Sequence, residues 1–161
     1  MKIFGKTLSE YIKFQKYILI LILIVGVGRL LLSLGGVADS SAKWLSVTAM
    51  MIIGTVYYGL RVYGSGFGSY KQLLPLNIIQ NLLGELIVAT GIAISIFTGK
   101  SNIFSAPEYS PSPEAGMTWG HALTHLIGGT IVLGLVGWLL SMLIMFIVRK
   151  LSSSSPAPAK A

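Results

Sequence analysis

Four apolar segments, each close to or beyond the length that crosses a hydrocarbon core, dominate this chain of 161 residues. A crossing takes about 20 residues at 1.5 Å of rise each. The segments cover residues 17–38, 44–63, 73–98 and 119–148, and the first opens with an unbroken aliphatic run from Ile18 to Val25. Lipid offers no partner to a bare backbone N–H or C=O, so each segment is predicted to be helical. The expected fold class is an all-α membrane protein: one four-helix transmembrane bundle over residues 17–148.

Composition agrees with this and removes other classes. Charged residues make up 11% of the chain and mean hydropathy is +0.78. A soluble enzyme carries roughly a quarter of charged positions, and a disordered chain lacks such apolar runs. The basic residues flank apolar segments and form no patch interleaved with aromatics, so no nucleic-acid partner is expected. There is no cysteine, which excludes disulfides, thiolate metal sites and Cys nucleophiles. Serines are numerous but have no matched His–Asp pair, and no enzyme is expected.

Orientation follows from Lys and Arg. Lys2, Lys6, Lys13, Lys16, Arg61, Lys71, Arg149, Lys150 and Lys160 fall on one side of a four-span arrangement, against Lys43 and Lys100 on the other. The positive-inside rule then puts both termini in the cytoplasm, in a cytoplasmic (inner) membrane. A cleaved signal peptide is the competing reading of the first segment, but its apolar run of about 22 residues exceeds the roughly 7–15 of a signal core. Ahead of it, the four lysines take one helical face and Ile3, Phe4, Leu8, Tyr11 and Ile12 another. Residues 1–16 are therefore expected to form an amphipathic helix on the membrane surface, with anionic lipid as its partner.

The connections are less informative. Gly64, Gly66 and Gly68 resemble a phosphate loop only in composition, since no strand precedes them and no Gly-Lys-Ser/Thr follows. The loop 99–116 contains Pro107, Pro111 and Pro113 with Tyr109 between, and its length makes it a candidate lid or partner contact. Residues 149–161 end in a Ser/Pro/Ala-rich tract expected to be a disordered cytoplasmic tail.

Polar residues inside the spans carry the functional argument. Counted from the cytoplasmic ends of their segments, Arg29 and Glu85 both lie about 15–18 Å deep, and opposite charges at one depth are expected to pair. Asn77, Asn81 and Glu85 recur at steps of four with Gln80 at the edge of the arc, a stripe that must face the bundle interior or a cavity. It suits either a network pinning helices together or a pathway for a proton, an ion or a quinone headgroup.

His121 and His125 share one face near the outer end of the last segment, with Gly128 and Gly129 in the next turn. They are candidate cofactor or metal ligands, and also suit plain interfacial histidines. Two histidines four apart cannot supply both axial ligands of one haem, and zinc lacks a third ligand unless Glu108 or Glu114 folds over. No cofactor and no metal is assigned. The opposite face of that helix carries Thr130, Gly134, Gly137 and Ser141, a small-residue surface for close helix packing within the chain or against another subunit.

Arg29 in the first span and Gly84–Glu85 in the third resemble the DoxX-like membrane proteins over those two short stretches, from which no function is carried across. The leading expectation is a non-enzymatic accessory or interaction subunit of a larger membrane complex, with a membrane-protein partner or a homo-oligomer. The alternatives are a haem-, chlorin- or quinone-binding protein and a small transporter or proton pathway along the polar stripe.

Overall fold

The helices start where the local chemistry supplies a cap. Thr7 and Glu10 form a reciprocal capping box, with Thr7 N–H donating to Glu10 Oε2 at 2.8 Å and Glu10 N–H to Thr7 Oγ1 at 3.3 Å. From there no proline and no adjacent glycine pair interrupts the chain until Gly35–Gly36, and Gly26 and Gly28 are carried singly within the helix. The first helix, α1, is therefore one unbroken rod, Leu8–Leu34. The computed structural model describes residues 2–106 and 116–153. Pro107, Glu108, Tyr109, Pro111, Pro113 and Glu114 of the expected lid lie outside the described residues, as does the expected tail beyond residue 153; residues 149–153, also expected in that tail, instead continue the last helix.

The expected surface helix over residues 1–16 is replaced by two features. Lys2–Ile3 (β1) and Lys6–Thr7 (β2) pair as an antiparallel hairpin. Its turn places Phe4 at φ 48° and Gly5 at φ 86°, the two left-handed positions of a tight hairpin turn. Residues 8–16 belong to α1, and Tyr11 and Gln15 on their inner face are fully buried. Amphipathicity there reflects packing: Tyr11 O–H donates to Ile3 C=O at 2.9 Å, and Gln72 Nε2 to Phe4 C=O at 2.7 Å.

After a single turn, α2 (Asp39–Ala42), come α3 (Val47–Arg61), α4 (Tyr70–Thr98), α5 (Trp119–Leu123), a π-helical turn (Thr124–Gly129) and α6 (Thr130–Ser153). Hairpin apart, the regular structure is helical. Three helices are long and apolar enough to cross a membrane: Leu8–Leu34, Tyr70–Thr98, and the composite Trp119–Ser152. This is a membrane protein. The second apolar segment yields only the 15 residues of α3, or about 22 Å at 1.5 Å each; Ser46 caps its start and its N-terminal approach runs as an irregular stretch.

Helix α4 is the hub, packed against α1, α3 and α6. The outward faces of α1 and α6, including Ile24, Leu31, Val132, Leu139 and Leu143, are exposed aliphatic surface, as a lipid-facing surface would be. The basic ends come together: Lys6 sits 5.2 Å from the Phe67 ring, and the Arg149 guanidinium carbon 4.5 Å from that of Tyr63. The small residues of α6 face α4 and α3. A methyl at Gly134 would meet Ile78 Cδ1 at 2.5 Å, and one at Gly137 would meet Asn77 Oδ1 at 2.5 Å.

Gly137→Leu should therefore lower the thermal unfolding midpoint of the detergent-solubilised protein by many degrees. Gly28→Leu, at a position with open space around it, should leave it unchanged, as followed by circular dichroism.

Candidate functional site

The polar stripe of α4 is a buried network binding three helices. Asn77, fully buried, accepts at Oδ1 from Thr55 Oγ1 (2.9 Å) and donates from Nδ2 to Ser141 Oγ (3.1 Å). Ser141 Oγ in turn donates to Thr55 C=O at 2.9 Å. Gln80 Nε2 donates to Met51 C=O (3.0 Å) and Thr55 Oγ1 (3.1 Å), and Asn81 Nδ2 to Asn77 C=O (2.8 Å). Gly54 makes this possible, because a methyl there would collide with Gln80 Oε1. Thr130, on the same face of α6, is also buried.

Two turns along α4 from Asn77, Glu85 is 4% exposed, and its partner is His125, not Arg29: His125 Nδ1 lies 2.7 Å from Glu85 Oε2. The approach depends on Gly129, where a methyl would stand 2.7 Å from Glu85 Cδ. The Arg29 guanidinium carbon lies 5.3 Å from the Phe104 ring centroid. Depth arithmetic brought Arg29 and Glu85 to one level, and they do share a site, but the last helix reaches the carboxylate.

That site is a cavity of about 470 Å³. Its walls are Arg29 from α1, Lys43, Trp44 and Ser46 ahead of α3, Val47, Thr48 and Met51 on α3, Glu85 and Val88 on α4, Ile103 and Phe104 after α4, and His125. The walls after α4 are held rigidly. Asn102 Nδ2 donates to Gly91 C=O and Ser95 Oγ, both at 2.7 Å, and Ile103 N–H to Ser33 Oγ at 2.9 Å. A second cavity, a groove of about 400 Å³ between α3 and α6, shares Thr48 and Met51 with the first. Its other walls are almost wholly aliphatic, among them Ile52, Val56, Val136, Leu140 and Ile144.

His121 is 6% exposed, with Nδ1 3.0 Å from Gly116 C=O, and its ring centroid is 4.9 Å from that of His125. Both histidines thus point into the chain. Small-residue and histidine faces, opposite in a straight helix, both meet α4. Nine α-helical steps of about 100° put Gly134 opposite His125, and the wider π turn takes back about one step. Among the described residues no group of three or more His, Asp or Glu side chains has the arrangement of a metal site.

Sequence reasoning missed Lys43, Trp44, Phe104, Asn102 and Thr55. Thr55 stood as a lone hydroxyl in an apolar run and was a readable signal; the others lie in segments whose path no periodicity fixes. Compared with known protein families, curated proteins and solved structures, the chain matches none.

Interhelical hydrogen bonds in membrane proteins are each worth about 0.6 kcal/mol on average. Asn77→Ala, which removes two of them, should destabilise the protein by about 1–2 kcal/mol in a denaturant titration in mixed micelles. Thr55→Val combined with it should cost less than the sum of the single changes, because the two share a bond.

Proposed function

We propose that this chain is a four-span membrane protein with both termini cytoplasmic, and that it binds a membrane-resident amphiphile of the isoprenoid-quinone class. Its role is binding, not catalysis. The observation that carries the reading is that the two cavities lie side by side, with Thr48 and Met51 in the walls of both. One is lined by Arg29, Lys43, Glu85 and His125 together with Trp44 and Phe104; the other is an almost wholly aliphatic groove between α3 and α6. A flat ring with carbonyl oxygens would lie in the cavity lined by Trp44 and Phe104, with Arg29 and Lys43 in its walls as donors, and an isoprenoid tail would lie in the groove. The head cavity lies within the roughly 300–1,000 Å³ of small-molecule sites.

Two further observations favour binding over the accessory-subunit and pathway readings. The face of Thr130, Gly134, Gly137 and Ser141 is occupied within the chain, so it offers no seam to a second subunit. The Asn77, Gln80 and Asn81 amides are tied to α3, α6 and the α4 backbone, which suits a fixed pin better than a conduit.

The four-span, N-in arrangement takes its support from the basic end formed by α1, the α3–α4 turn and the end of α6. In this natively cysteine-free chain, Ser101→Cys should react with a membrane-impermeant maleimide on intact cells. Ser65→Cys should react only after permeabilisation, and the opposite pattern would reverse the orientation.

Decylubiquinone added to the protein in nanodiscs should quench Trp44 fluorescence saturably, and Trp44→Phe should remove that component. Arg29→Ala with Lys43→Ala should weaken binding by about tenfold or more, equivalent to about 1.4 kcal/mol. Val136→Phe with Leu140→Phe, which fills the groove, should weaken decylubiquinone but spare a tail-less quinone. Absence of saturable quenching in the parent protein would refute the reading.

A further inference from the structure

We infer that His121 and His125 together hold a divalent transition-metal ion of the zinc–copper class through their Nε2 atoms, beside the cavity and independently of any amphiphile in it. A backbone carbonyl only accepts, so the 3.0 Å contact with Gly116 C=O fixes the hydrogen of His121 on Nδ1. Its Nε2 is then a bare lone pair. This atom is buried, within a residue 6% exposed, and has no hydrogen-bond partner. A buried acceptor left in that state is costly unless something occupies it.

His125 repeats the pattern with a stronger orienting group. Its Nδ1 faces the Glu85 carboxylate at 2.7 Å, which directs the hydrogen there and leaves Nε2 as the electron-pair donor. An imidazole held by a carboxylate or carbonyl at one nitrogen, with the other free, is the arrangement in which histidines ligate metals. Here both members of a neighbouring pair have it.

The spacing fits as well. An ion about 2.0–2.1 Å from each nitrogen stands about 3.2 Å from each ring centroid. Centroids 4.9 Å apart then subtend about 100° at the ion, close to a tetrahedral angle. Water completes the shell from the side of His125, which is 34% exposed. Imidazole nitrogens select zinc, copper or nickel over magnesium and calcium. The Glu85 carboxylate supplies a counter-charge beside the ion, in the wall of the cavity that Arg29 and Lys43 also line.

Zn²⁺ titrated calorimetrically into tag-free protein in detergent should bind one ion per chain with micromolar affinity, where Mg²⁺ gives no heat. His121→Ala and His125→Ala should each weaken it at least tenfold. Glu85→Gln should weaken it by about 10–100-fold with the stoichiometry kept, as loss of an orienting carboxylate does. Circular dichroism of each variant separates lost binding from lost fold. On the unaltered protein, pulsed electron paramagnetic resonance of one equivalent of Cu²⁺ should show two imidazole nitrogens. Undiminished Zn²⁺ binding in a folded variant carrying both His121→Ala and His125→Ala, or a Cu²⁺ signal with fewer than two imidazoles, would overturn the assignment.

Discussion

Helix α4 is apolar enough to cross a membrane yet carries three amides and a carboxyl along one edge, and the rest of the molecule is arranged to cover that edge. An uncovered stripe of this kind would be expelled from lipid, so α4 is stable at depth only when its neighbours supply matching polar atoms. α3 supplies Thr55 and the Met51 carbonyl, α6 supplies Ser141, and the π turn before α6 supplies His125. Close approach is the second requirement. Gly54, Gly129 and Gly137 each stand where a methyl group would strike an α4 side chain. The glycines and the polar stripe are two sides of one packing solution.

Much of this was legible in the sequence. Steps of four from Asn77 to Glu85 marked an inward face, and the aliphatic runs marked four segments, of which three are helices long and apolar enough to cross a membrane. What one dimension hid was the partner of Glu85. Counting depth along separate helices sets Arg29 and Glu85 level, but it cannot say which of three neighbouring helices leans in. Nor does periodicity predict a π turn, since one wide turn leaves each flanking stretch with perfect α-helical spacing while rotating them against each other. The Gly128–Gly129 pair was the nearest available signal. The N-terminal segment failed differently: lysines alternating with aliphatic residues fit a surface helix, but Thr7 and Glu10 fix the helix start at Leu8 and leave a hairpin ahead of it.

The cavity is a product of connections as much as of helices. Lys43, Trp44, Ile103 and Phe104 come from segments between rods, and their placement depends on side chains such as Asn102, which substitutes for missing backbone pairing with bonds to Gly91 and Ser95. Such segments are where variation between proteins of one architecture is usually tolerated. A scaffold of buried amides beside a cavity walled by loops separates what holds the helices together from what lines the cavity.

The shortness of α3 has a consequence for the surrounding bilayer. In the proposed four-span arrangement, about 22 Å of helix against a hydrocarbon thickness of about 30 Å falls short of the opposite interface beside α1 and the last helix. Lipids along that side would then either thin toward the protein or let headgroups sink beside Trp44, which is 83% exposed. For the proposed amphiphile, such a dimple would lower the barrier to moving sideways out of the leaflet, and the membrane's own deformation would be the entrance.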